Sequence, residues 1–226
     1  MPRALLLFDI DGTLVDTGGA GYAALCEAFA EIYAADLAGR PIPPLDLAGA
    51  TDSGLLRDLF ASLAFGASAQ ARVGDFYARY LACLEARLFA DAIAPGRRLA
   101  GAAELLDLLG ECGGFELALL TGNIRAAAFA KLRAYGIDHH FGEGGAFGDD
   151  HHCRTSSPAS PGAARGVPPA GVHRDRRHAE GHALRAGDRA KAVAVATGRF
   201  SAAELAAHQP DMVLEDLSDA DTVWAR

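Results

Sequence analysis

The chain is short of several things, and each shortage excludes something. No apolar run approaches the ~20 residues of a membrane span, so no spanning segment is expected. Met1–Phe8 opens with an apolar stretch, but it stops at Asp9, too short for a signal peptide, and reads as a buried strand. There are only 4 cysteines, Cys26, Cys83, Cys112 and Cys153, with no C-x-x-C pair. A chain of 226 residues needs no disulfide staples, so reduced thiols and a cytoplasmic setting are expected. Positive charge is scarce: 21 Lys+Arg against 29 Asp+Glu give a formal net charge of −8. That surplus of acid argues against nucleic acid and anionic membrane as partners.

Apolar residues are plentiful, at 50%. Disorder along the whole chain is excluded, and one sizeable core, or a core with a smaller insert, is affordable in surface terms. The average hides a split. Residues 155–192 hold 7 of the Lys+Arg and 3 of the Asp+Glu, so this window is +4 and the rest of the chain −12. It also holds 4 of the 10 prolines, and its large apolar residues are Val167, Val172 and Leu184 alone. A basic window without interleaved aromatics is no nucleic-acid surface.

Periodicity sorts the remainder. Ala4–Phe8 is an apolar run ending in acid, as in a central parallel strand. Helical spacing covers 20–38, 53–65 and 69–90, so 17–92 is expected to be helix and loop throughout. From there strands and helices alternate: a helix through Leu99–Leu109, a strand at 115–120, a helix at 124–136, a short strand at 146–147, a strand at 192–196, a helix at 201–208 and a strand at 212–214. This predicts an α/β fold, a doubly wound parallel sheet with a helical insert after the first strand. Ligands of such sheets bind beyond the carboxyl ends of the strands, where Asp9, Thr121 and Asp149 are placed. His139-His140 and His151-His152-Cys153 lack a ligand-spacing frame and are not expected to hold an ion.

The run Asp9-Ile10-Asp11-Gly12-Thr13-Leu14-Val15-Asp16 carries the strongest signal. Two carboxylates two residues apart at a strand end converge on one site, and their repulsion calls for a cation, with Mg²⁺ the natural one. This run, with Thr121-Gly122-Asn123 after a later strand and Lys131 beyond it, resembles the haloacid dehalogenase-like hydrolases in their phosphoglycolate phosphatase-like branch. The resemblance covers about 1–154 and 190–217. It implies that Asp9 attacks phosphorus and that Asp11 protonates the leaving oxygen and then activates water. Thr121, Gly122 and Asn123 would hold phosphoryl oxygens, with Gly12 and Thr13 lining the same site, and Lys131 would balance charge. Asp9 and the Asp11 backbone carbonyl would bind Mg²⁺. Asp11 favours phosphate over halide chemistry, because the family's dehalogenases lack it. A carbon–phosphorus hydrolase would need a cap lysine, and Lys131 is the only lysine outside the basic window.

The resemblance also divides the chain into an α/β core at 1–16 and 93–226 and a mobile cap at 17–92 that selects substrate. Within the cap, Gly49-Ala50-Thr51-Asp52 is similar to the segment that faces the site, which makes Thr51 and Asp52 substrate contacts. A helix N-cap fits the same residues. The implied partner is a small phosphorylated metabolite, phosphoglycolate-like or a sugar phosphate, with the chain a monomer or homodimer.

One expected part is missing. A fourth motif, an acidic G-D-x-x-x-D turn after an apolar strand, should complete the Mg²⁺ site between 155 and 192. The acids there are Asp175, Glu180 and Asp188, and no apolar strand precedes them. A structureless stretch of such length is improbable in a compact domain. Permitted codons for Asp175–Ala190, regrouped by one base, can encode an apolar residue, the G-D-x-x-x-D turn and a helix running into Ala190. Three single-base deletions, near 154, between 161 and 174 and near 190, would produce the anomalous 155–190 segment. A decayed protein that keeps the fold without the chemistry is the competing expectation.

Overall fold

Leu6, Leu7 and Phe8 are buried at consecutive positions, as a strand covered on both faces requires. They form β1 (Ala4–Phe8). The structure is a computed structural model that describes residues 4–47, 49–90, 95–150, 171–175 as backbone, 191–198 and 200–218. His151, His152, Cys153 and most of the 155–190 window lie outside the described residues.

After β1 come β2 (Val15–Asp16), then α1 (Ala20–Ile32), α2 (Ala34–Leu37), α3 (Asp52–Leu63), α4 (Ala67–Gln70) and α5 (Val73–Phe89). The chain continues with β3 (Arg97–Arg98), α6 (Ala102–Cys112), β4 (Phe115–Leu120), α7 (Arg125–Ala134), a 3₁₀ turn at Asp138–His140 and β5 (Gly145–Ala146). The last elements are β6 (Gly171–Asp175), β7 (Lys191–Val195), α8 (Ala202–Ala206) and β8 (Met212–Leu214). The expected helix over 20–38 is broken at Tyr33, whose φ of −107° ends α1. Its ring is fully buried against Phe29, Phe60 and Phe65, so packing overrides the helical pattern.

The main sheet has the order β5-β4-β1-β6-β7-β8. β1 pairs parallel with β4 in a register that sets Phe8 opposite Leu119, so the two strands end nearly level. β4–β5 and β7–β8 are also parallel. β6 differs on two counts. The sequence gives no strand signal at Gly171–Asp175, and β6 runs antiparallel to both β1 and β7. The physical reason lies in the backbone. β1 and β7 each present a row of N–H and C=O groups that must be paired, and the extended, proline-free segment Gly171–Asp175 pairs them.

Two apolar cores share one helix. The first joins α1, α3 and α5 around Phe29, Tyr33, Phe60, Phe76 and Tyr80. The second lies between the sheet and α6, around Leu6, Phe8, Leu106 and Leu119. α7 faces both: Ala127 and Ala130 pack into the first, Ala128 and Leu132 into the second. Where the chain leaves for the helices and where it returns, β2 and β3 form an antiparallel pair, Asp16 opposite Arg97. Gly96 is obligatory there: its φ is +82°, and a Cβ would lie 2.0 Å from the Asp16 carbonyl oxygen.

Candidate active site

Beyond β1 the chain turns at once. The Ile10 carbonyl accepts from the N–H groups of Thr13, Leu14 and Val15 at 3.2, 2.9 and 3.1 Å. Gly12, at φ +79°, supplies the left-handed residue that this turn needs. The turn leaves Asp9 half-buried at the strand end and Asp11 exposed. Ile10 N–H donates to Asp9 Oδ1 at 2.8 Å. Thr13 is fully buried, and its hydroxyl has no hydrogen-bond partner among the described residues. The Gly12 carbonyl accepts from the Thr197 hydroxyl at 2.7 Å, which ties the turn to the residues after β7.

The turn after β4 meets it. Thr121 N–H donates to the Ala146 carbonyl at 3.0 Å, and the Thr121 hydroxyl bonds to the Asp9 side chain. Asn123 Nδ2 donates to Thr121 Oγ1 at 2.8 Å and to Asp11 Oδ2 at 2.7 Å. Lys131, one α7 face away, donates from Nζ to Asp11 Oδ1 at 2.8 Å, Asp11 Oδ2 at 2.7 Å and Asn123 Oδ1 at 2.6 Å. Lys131 is only 4% exposed, so the ammonium depends on these partners. Gly21 of α1 makes room for it: a Cβ there would sit 3.3 Å from Lys131 Nζ. Asp9, Asp11, Thr121, Asn123 and Lys131 are thus brought together, with Gly12, Thr13 and Gly122 in the supporting turns.

Burial pushes the Asp9 carboxyl up from 3.8 to about 7, helped by the neighbouring Asp11 charge. Bonds from Ile10 and Thr121 and the Lys131 charge pull the other way without cancelling it. Lys131 is the weakest of these influences, because its ammonium sits on Asp11 and not on Asp9.

Thr51 and Asp52 lie against the same turn. Thr51 is the N-cap of α3, accepting from Gly54 N–H at 3.0 Å. Asp52 N–H donates to the Gly122 carbonyl at 2.8 Å, and Asp52 Oδ2 accepts from Ile124 N–H at 2.9 Å. Burial raises the Asp52 carboxyl to about 6, opposed by Lys131. Gly122 cannot carry a side chain here, because a Cβ would lie 2.4 Å from the Ala50 carbonyl oxygen.

Residues 6–208 match the model of the haloacid dehalogenase-like hydrolase family. The chain belongs to the haloacid dehalogenase-like hydrolases. No curated protein matches it by sequence. Among solved structures it is similar in fold to a predicted phosphoglycolate phosphatase from Haemophilus somnus 129pt, with a TM-score of 0.54, 16% identity, and 96% of this chain and 95% of that one covered. It is also similar to a haloacid dehalogenase-like family protein from Streptococcus pneumoniae, with a TM-score of 0.52, 16% identity and 99% of both chains covered.

For a haloacid dehalogenase-like hydrolase the donor chemistry at Asp9 and Asp11 suits a hard cation such as Mg²⁺. The set is incomplete among the described residues. No third His, Cys, Asp or Glu side chain converges there, since the one such group of three is Asp107, His139 and His140. Asp149 and Asp150 are engaged with the N–H groups of Arg125 and Phe147, at 3.1 and 2.7 Å. The Asp107–His139–His140 group contains none of the residues marked by the motifs. Its ligand atoms lie within 4.8 Å of one another, so it could hold a metal, and its nitrogen donors favour an ion such as Zn²⁺ over Mg²⁺. His139 and His140 lack a ligand frame in sequence because their third member, Asp107, comes from α6. No described helix is long and apolar enough to cross a membrane.

Proposed function

We propose that this hydrolase is built as a phosphoric monoester hydrolase acting on a small phosphorylated metabolite, with Asp9 as nucleophile and Asp11 as general acid and base. What supports the reading is the convergence of Asp9 and Asp11 with Thr121, Asn123 and Lys131 at the ends of two adjacent parallel strands. The Asp9 carboxylate attacks phosphorus while the bond to the leaving oxygen breaks, and Asp11 gives that oxygen its proton. Water then attacks the aspartyl phosphate, Asp11 takes the water's proton, and inorganic phosphate leaves with Asp9 restored. The Thr121 hydroxyl and the Gly122–Asn123 backbone hold phosphoryl oxygens, with Gly12 and Thr13 shaping the opposite wall. Lys131 supplies the buried positive charge that a transferring phosphoryl group needs. Thr51 and Asp52 bring the 17–92 cap to the edge of this site. Phosphoglycolate-like and sugar phosphates are the leading substrates, by family resemblance alone.

The chain as written is proposed to be impaired. Mg²⁺ at the Asp9 carboxylate and the Asp11 carbonyl would offset the repulsion of the two acids, but the fourth-motif acids are missing from the sequence. We attribute their loss to a frameshift across 155–190. The deciding experiment is a phosphate-ester screen with Mg²⁺ on the chain as written and on a frame-repaired chain. Turnover by the repaired chain alone is expected. Equal, family-like turnover by both would refute the impairment, and inactivity of both would favour a decayed fold or a different bond as substrate. The coding DNA and an intact mass test the frameshift itself.

A further inference from the structure

Helix α7 begins with a deficiency. Its N-cap is Ile124, whose side chain cannot accept a hydrogen bond, and no cap bond from it exists. The first N–H groups of a helix need acceptors, and here they come from far along the chain. Ile124 N–H donates to Asp52 Oδ2 at 2.9 Å, and Arg125 N–H donates to Asp149 Oδ1 at 3.1 Å. Both acceptors are carboxylates, which also suits the positive end of the helix dipole.

Asp52 does more than cap. The Tyr80 hydroxyl of α5 hydrogen-bonds to it, and Tyr80 is 1% exposed. The Asp52 backbone N–H holds the Gly122 carbonyl. The next residue, Ser53, donates to the Gly148 carbonyl, while Gly148 N–H holds the Asn123 carbonyl at 2.8 Å. The Asp52 carboxylate therefore joins α3, α5 and the start of α7 at one point. Two residues of the adjoining turn and helix, Asn123 and Lys131, are the ones that grip Asp11.

We propose that Asp52 is a positioning residue: it caps α7 from the helical insert and thereby sets Asn123 and Lys131 on the Asp11 carboxylate. The meaning of that placement for catalysis rests on the proposed function, but the cap itself does not. The family resemblance implies Asp52 as a substrate contact, and a helix N-cap fits the same residues; in the structure its carboxylate bonds to Ile124 N–H and to the Tyr80 hydroxyl.

Hydrogen exchange on the full chain, corrected for intrinsic rates, separates the two questions. Asp52→Ala is expected to speed exchange of the amides at 122–126 by about tenfold, leaving β4 and α1 unchanged. Asp52→Asn keeps an acceptor for Ile124 and should stay within about threefold of the parent. Asp58→Ala, an exposed position on the same helix, should change nothing. Unchanged protection of 122–126 in Asp52→Ala would overturn the proposal, as would an equal rise in β4 and α1 or a failure of Asn to rescue. If Asp52→Ala does not fold, Tyr80→Phe is read the same way, with a rise of about threefold expected at 122–126 and no rise overturning the proposal. Binding of inorganic phosphate is measured beside it. A parent chain that binds none fits the impairment proposed for the chain as written and leaves the capping role to be decided by the exchange data. Where the parent binds, weaker binding by Asp52→Ala and retention by Asp52→Asn are expected, and equal binding by all three would refute the link to Lys131.

Discussion

Replacing the nucleophile candidate should make the protein more stable. Asp9→Asn is nearly isosteric. Its oxygen can still accept from Ile10 N–H, as the Asp9 carboxylate does. What it removes is a carboxyl pushed from 3.8 to about 7 by burial and by Asp11. A carboxyl with a raised native pKa binds its proton more tightly in the folded than in the unfolded chain. Relative to a neutral side chain, its cost to the fold is therefore absent below pH ~4, grows as pH rises towards 7, and is full above that. At 1.36 kcal/mol per pH unit the gap corresponds to about 4 kcal/mol. Partial solvent access at the strand end reduces this to about 2–4 kcal/mol. In chelated buffer at pH 8, Asp9→Asn should be that much more stable, which raises Tm by roughly 5–10 °C for a chain of this size. At pH 4 the two proteins should coincide. Urea or thermal unfolding at pH 4, 6 and 8 makes the comparison. A variant no more stable than the parent at pH 8, or a gain independent of pH, would refute the account of the site's electrostatics.

Other perturbations are expected to act as follows. Lys131→Ala strips the Asp11 carboxylate of its ammonium and Asn123 Oδ1 of its donor; urea unfolding should show a loss of about 2–3 kcal/mol. Gly122→Ala forces a Cβ against the Ala50 carbonyl oxygen, so it should cost about 1–3 kcal/mol and raise protease sensitivity around residue 50. Phe29→Ala empties the centre of the helical core, where the rings of Tyr33, Phe65 and Phe76 lie 4.8, 5.9 and 6.2 Å away; calorimetry should show a loss of about 3–5 kcal/mol. Mg²⁺ titrated by calorimetry should bind the frame-repaired chain measurably more tightly than the chain as written.

Legibility followed sequence distance. Asp9 and Asp11 were readable because one tight turn places both, and Thr121–Asn123 because they end an apolar strand. Lys131 was readable only through its spacing from Thr121, yet its ammonium rests on Asp11 and not on the nucleophile. The helices of 20–90 followed from apolar periodicity, apart from the break at Tyr33, which a buried aromatic cluster imposes. The capping of α7 by Asp52 and Asp149 could not be read, since the sequence around Ile124 gives no sign that its acceptors come from elsewhere. Asp107 joined to His139 and His140 is the same kind of contact, made by folding alone. Strand β6 was illegible for another reason: Gly171–Asp175 carries no apolar run, and its place follows from backbone pairing with β1 and β7.

The two-faced helix α7 bears on how the molecule comes apart. Ala127 and Ala130 complete the helical core while Ala128 and Leu132 complete the core against the sheet. Neither half can melt without stripping one side of that helix and exposing its N-terminal N–H groups. The chain crosses between the halves at the small β2–β3 seam, but cooperativity runs through α7. Heat or denaturant should therefore dismantle both halves in one transition, and a fragment cut out at the seam should not hold its shape alone.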